Sequence, residues 1–193
     1  MVNYKNTRFC DICEISKIKN PQHGVCGDYI LQDKYFFNWE NFCKEILHKD
    51  YRFVCDLIYE QDNTVFIELK TRDWFDEYHD FPTKEVNLYK ICHPLEAEQH
   101  IKNFIDKARN IILSKIEETM QDYISCGGNP LNPRYWIVFS KKHSHSWPPR
   151  EELTDSNIIR FIRNRLLPHV PPLICGHNVI IDAKKCDNLE ADL

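Results

Sequence analysis

Asp56, Glu68 and Lys70 are the residues of this chain whose types and spacing suit joint chemistry. Residues 51–60 and 64–71 are both rich in β-branched and aromatic side chains, and only Gln61, Asp62 and Asn63 separate them. That composition predicts a strand, a short turn and a second strand. Side chains alternate along a strand, so Glu68 and Lys70 share a face, and Asp56 on the paired strand meets them across the hairpin. Two carboxylates held close together repel, and a divalent cation relieves the repulsion. Mg²⁺ suits such a place, because it takes oxygen ligands and is usually held by one or two carboxylates with water and substrate phosphate. A cation there lowers the pKa of water and stabilises charge on a phosphodiester. A neighbouring lysine orients that water or neutralises the developing charge. The competing expectation is an exposed hairpin on which Glu68 and Lys70 are merely solvated partners.

The hairpin resembles the PD-(D/E)xK nuclease superfamily, which includes restriction endonucleases, Holliday-junction resolvases and RecB-like recombination exonucleases. Asp56 matches the family aspartate and Glu68-Leu69-Lys70 matches (D/E)-x-K. Cys55 stands where the family usually has proline. The resemblance spans roughly residues 39–140 when the flanking elements are counted. It implies an α/β fold with a restriction-endonuclease-like αβββαβ core, a mixed central sheet flanked by helices. It also implies hydrolysis of phosphodiesters with Mg²⁺ or Mn²⁺, and DNA as substrate ahead of RNA. Asp56, Glu68 and the Leu69 carbonyl would hold the metal, and Lys70 would orient the attacking water. An acid from the helix before the hairpin often completes such a site. Glu40 and Glu45 are the candidates, and Glu45 is preferred as the closer in sequence to the strand. Gln99 falls near where family members place a supporting Gln or Lys, although Asn103 stands where recombination-type enzymes have Tyr. An exposed helix surface explains Gln99 as well. Resolvases and many restriction enzymes pair two sites, so a homodimer is among the expectations.

Other elements must position these groups. Asn38 is placed to cap a helix over 38–48, in which Trp39, Phe42, Cys43, Ile46 and Leu47 recur at helical spacing. Pro94 opens a long helix, 94–125, whose apolar stripe runs through Ile101, Phe104, Ile105, Ala108, Ile112, Ile116, Met120 and Ile124. Cys126-Gly127-Gly128 ends it. Residues 134–140 form a near-continuous apolar run, which predicts a buried central strand. A further helix is expected over 156–167 and a last strand over 178–182. A third early strand is supplied by 28–37 or by 85–92, and 72–92 otherwise reads as loop. Alternating helices and strands of this kind pack as layers.

The chain has 193 residues, 42% hydrophobic and 12% aromatic, enough for one main domain with a real core. A small Cys/His-rich element over 1–30 is followed by the α/β domain over 31–193. No apolar run approaches 18 residues and the N-terminus has no apolar signal core, so an intracellular, cytoplasmic protein is expected. The net charge of −4 argues against a surface coated in positive charge. Nucleic-acid contact then needs a local basic patch. Lys141, Lys142, His143 and His145 in one loop, with Arg160 and Arg163 on one helix face, are candidates.

Nine cysteines are many for an intracellular chain, and their odd number prevents complete pairing. Cys10, Cys13, His23 and Cys26 have the spacing of a tetrahedral Zn²⁺ site, which would give folding energy to a core-poor segment. Free buried thiols are the alternative. An iron–sulfur cluster fits less well, because Cys126, Cys175 and Cys186 are spread out. Cys175 and His177 with Cys186 offer a second metal site. No glycine-rich phosphate loop is present, which argues against a nucleotide-driven motor within this chain. The rival to the nuclease is a zinc-stabilised binding module on a degenerate nuclease fold, without catalysis.

Overall fold

The computed structural model describes residues 12–14, 19–20, 24–25, 35–49, 54–70, 94–139, 159–160 and 162–185. The elements are β1 (Ile12–Glu14), β2 (Lys19–Asn20), β3 (Gly24–Val25), β4 (Tyr35–Asn38), α1 (Trp39–Glu45), β5 (Leu57–Glu60), β6 (Thr64–Lys70), α2 (Pro94–Ser125) and β7 (Arg134–Phe139). A π-helical turn (Ile162–Leu166) and a 3-10 turn (Leu167–His169) follow, then β8 (Leu173–Ile174), β9 (His177–Asn178) and β10 (Ile180–Lys185).

Six strands form one mixed sheet in the order β1-β4-β5-β6-β7-β10. The pairs β1–β4, β4–β5 and β5–β6 are antiparallel, whereas β6–β7 and β7–β10 are parallel. The α/β class with a mixed sheet is therefore as expected, and β7 is the inner strand its apolar run implies. Among the described residues the further early strand is β4, overlapping the 28–37 alternative, and the 85–92 alternative lies outside them. β4 precedes α1, so the described order runs strand, helix, hairpin, helix, strand rather than helix first with three strands after it. The expected 156–167 helix is seen as the π and 3-10 turns, with Ile159, Ile162 and Leu166 buried.

Strand alternation sorts the core into two clusters. Phe66, Tyr135, Ile137 and Ala183 face one way, with Ile58, and pack with Trp39 and Phe42 of α1 and with Ala108, Ile112, Ile116, Met120 and Tyr123 of α2. Leu57, Tyr59, Val65, Ile67, Leu69, Trp136 and Val138 face the other way. Among the described residues, the buried apolar side chains of the helices all belong to the first cluster, so the described helices cover one face rather than both. Ile124 leaves the α2 stripe and is 38% exposed, and Tyr123 takes the inward place. The helix ends as expected. Gly127 adopts φ 86°, and the Gly128 N–H donates to the Tyr123 carbonyl at 2.9 Å.

The Asn38 side chain accepts from the Asn41 N–H at 3.0 Å, and the Asp56 carbonyl accepts from Trp39 and Glu40 N–H at 3.0 and 3.2 Å. Donors that a helix start leaves without intrahelical partners are thus satisfied by the cap and by the hairpin. Asn38→Ala is expected to destabilise the fold by about 1 kcal/mol in urea denaturation. A loss below roughly 0.3 kcal/mol would mean that the Asp56 carbonyl alone secures this end.

Candidate active site

Asp56 lies one residue before β5, at the turn into the hairpin, and its backbone is fixed on two sides. Its N–H donates to the Ile67 carbonyl at 3.0 Å, and its carbonyl receives the α1 N-terminus. The preceding Cys55 N–H donates to Thr119 Oγ1 of α2 at 2.9 Å. Cys55 itself is fully buried, and burial, with the Glu68 and Asp56 charges, pushes its thiol well above the ordinary value. Cys55 is therefore an inert packing thiol tied to a helix. With the backbone held this way, Asp56 Oδ2 accepts from the Leu69 N–H at 2.5 Å. The N–H and C=O of a strand residue point to the same side, so the Leu69 carbonyl shares the side of β6 on which Asp56 sits.

Glu68 is in phase with Phe66 on β6, the face that α2 covers. It is 3% exposed, which rules out the solvated hairpin. A carboxylate buried beneath a helix needs a cation, and two converge on it. Lys70 Nζ and Lys115 Nζ both stand 2.5 Å from Glu68 Oε1. Tyr135 of β7 donates its hydroxyl to Oε2 at 3.3 Å. Lys115 also reaches the Val54 carbonyl at 3.5 Å. Lys115 and Thr119 are four residues apart on α2, so one helix face holds both the Asp56 turn and Glu68.

Sequence reasoning missed Lys115 and Tyr135. A signal for the lysine existed. Glu68 aligned with Phe66 must face the covering helix, and Lys115 is the cation between Ile112 and Ile116 in that helix's apolar stripe.

The two carboxyls titrate in opposite senses. Burial alone would raise the Glu68 carboxyl, but the charges and hydrogen bonds of Lys70 and Lys115 outweigh it and hold the group below its ordinary value. Asp56 is pushed well above the usual carboxylate range by burial, then by the Glu68 charge and by a hydrogen bond with the Glu40 carboxyl, against the pull of the two lysines.

Among the described residues, no three His, Cys, Asp or Glu side chains form a preassembled metal cage. The donor chemistry nevertheless fits a hard cation. Asp56, Glu68 and the Leu69 carbonyl offer oxygen donors, and Mg²⁺ and Mn²⁺ prefer such ligands.

The acid that reaches the site from α1 is Glu40, in the first turn, where the helix abuts Asp56. Glu45 is in the last turn, 53% exposed, and pairs with Lys44 at 3.8 Å. Proximity in sequence misled here, because the helix docks by its N-terminus. Gln99 is exposed on α2 and donates to Asn103 Oδ1 at 2.8 Å. Sixteen residues separate it from Lys115, about 24 Å along a helix. Cys10, His23 and Cys26 lie outside the described residues, as do Lys141, Lys142, His143, His145 and Cys186, and Cys13 is described only as part of β1.

Arg163 is committed to Asp182, with which it makes two bonds at 2.6 and 3.0 Å, while Arg160 is exposed. Cys175 and Gly176 have φ 50° and 80°. They are the two central residues of the turn joining β8 to β9, so both positive φ values serve a tight hairpin. Cys175 Sγ is directed at the Glu117 carbonyl, 3.8 Å away. Cys43, Cys55, Cys126 and Cys175 are free thiols. No described helix is long and apolar enough to cross a membrane.

Comparison of the chain with protein-family models, with curated proteins and with solved structures found no match to any of them.

Proposed function

We propose that this protein is a divalent-metal-dependent nuclease with a restriction-endonuclease-like core, hydrolysing phosphodiester bonds of DNA. The observation that carries this reading is the buried Glu68 carboxylate with Lys70 at 2.5 Å on the same strand and Asp56 anchored to the intervening Leu69. Residues that the motif separates by up to 14 positions are thereby joined by one hydrogen bond and one ion pair.

Each residue has a distinct part. Asp56, Glu68 and the Leu69 carbonyl, with Glu40 beside them, would hold Mg²⁺ or Mn²⁺. Bound there, the ion supplies Lewis-acid stabilisation of phosphodiester charge and makes water more acidic. Lys70 places a positive charge against the oxygen that accumulates charge and orients water by hydrogen bonding. Tyr135 fixes the second Glu68 oxygen, so that Oε1 alone is presented. Thr119 holds the Asp56 turn. The low exposure of the whole group strengthens every electrostatic contact in it.

The test is cleavage of labelled linear duplex, single-stranded and four-way-junction DNA with Mg²⁺ or Mn²⁺, comparing the wild type with Asp56→Ala. Metal-dependent products absent in the variant are the expected result, and their pattern identifies the substrate shape. Intact DNA from every substrate, with binding retained, would overturn the reading in favour of a binding module.

A further inference from the structure

Lys70 and Lys115 crowd the same oxygen of Glu68, each 2.5 Å away, while Oε2 is engaged by Tyr135. A doubly charged ion cannot join two ammonium groups on one carboxylate oxygen, since the repulsion in a buried site is steep. One lysine must leave. Lys70 is tied to Glu68 by its place two residues along the same rigid strand. Lys115 comes across from α2 on a flexible four-carbon stem, and its second contact is a long 3.5 Å approach to the Val54 carbonyl.

We propose that Lys115 is an exchangeable counter-ion of the site: it neutralises Glu68 until a divalent cation takes Oε1, and its displaced ammonium then binds a phosphate of the nucleic acid. This rests on the nuclease reading and adds a residue to it. Metal binding and substrate binding become coupled through one side chain, because the cation that enters releases the charge that holds the phosphate. Lys115 is a substrate-binding residue in this scheme, and Lys70 stays with Glu68.

The test uses the full chain with Lys115→Met, which keeps the apolar stem, and Lys115→Gln as a second variant, both checked for wild-type melting behaviour. Mn²⁺ affinity is measured by calorimetry without DNA. Loss of the competing ammonium is expected to tighten Mn²⁺ binding about tenfold. The gain must persist in 1 M KCl, where screening over about 3 Å removes long-range effects but not direct competition. Duplex binding is then measured against salt, with Ca²⁺ as a hard cation and without any divalent ion. With Ca²⁺ the variants should lose about one unit of the log–log salt slope, and without it they should match the wild type. Unchanged Mn²⁺ affinity, a gain that vanishes in high salt, or an unchanged slope with Ca²⁺ overturns the role of Lys115 alone. Wild-type protein that binds no Mn²⁺, or Asp56→Ala that binds it equally well, overturns the nuclease reading instead.

Discussion

With Mn²⁺ saturating, Lys70→Met is expected to cut DNA about 10²–10³-fold more slowly than the wild type, the usual cost of deleting one preorganised donor from a buried site. Metal affinity should be no weaker, since the change removes a cation from Glu68 Oε1, where Lys70 Nζ stands 2.5 Å away. The two readouts separate two roles. If Lys70 serves only to neutralise Glu68, the bound metal makes it redundant and the rate should remain within about threefold, far short of the loss of a working donor. If it faces the reacting phosphate, the rate falls while the metal stays bound. Single-turnover kinetics is the appropriate measurement, because product release from DNA can hide a slow chemical step.

How much of this site was legible in the sequence depended on whether a contact is local. The Glu68-Leu69-Lys70 arrangement follows from strand alternation alone, and the hairpin that brings Asp56 to it follows from two β-rich runs and a short polar link. The long helix was equally legible, bounded by Pro94 and Gly127. The failures are long-range. Glu45 was favoured over Glu40 because it is closer along the chain, yet α1 meets Asp56 with its first turn. Lys115 went unnoticed, because the register of α2 on the sheet, which puts it over Glu68 sixteen residues beyond Gln99, is a long-range contact. Neither the docking polarity of one helix nor the sliding register of another is encoded in periodicity, which fixes a face but not a height. The third early strand is ambiguous in the sequence for a related reason: a four-residue edge-proximal strand has too few alternations to mark itself.

Glu68→Ala is expected to destabilise the metal-free protein by about 3–5 kcal/mol, the cost of leaving a buried charge without its partner. The variant strands two ammonium groups at once, since Lys70 and Lys115 are only 17% and 14% exposed. That predicts non-additivity. Adding Lys115→Met to Glu68→Ala should recover about 0.5–3 kcal/mol, the range of coupling between contacting residues. The pH dependence carries opposite signs for the two acids. Lys70 and Lys115 hold Glu68 below its ordinary value of 4.5. Its contribution is therefore present above that value and lost as pH falls through the folded-state value. Asp56 is raised above its ordinary value of 3.8, first by burial. Its contribution is complete below that value and lost as pH rises through the folded-state one. Urea midpoints across pH should therefore show the metal-free wild type losing stability toward alkaline pH relative to Asp56→Asn, and Glu68→Ala losing its disadvantage in acid. A Glu68→Ala protein as stable as the wild type at neutral pH would mean that both lysines relax into water at no cost, and the buried carboxylate would then be no anchor for either of them.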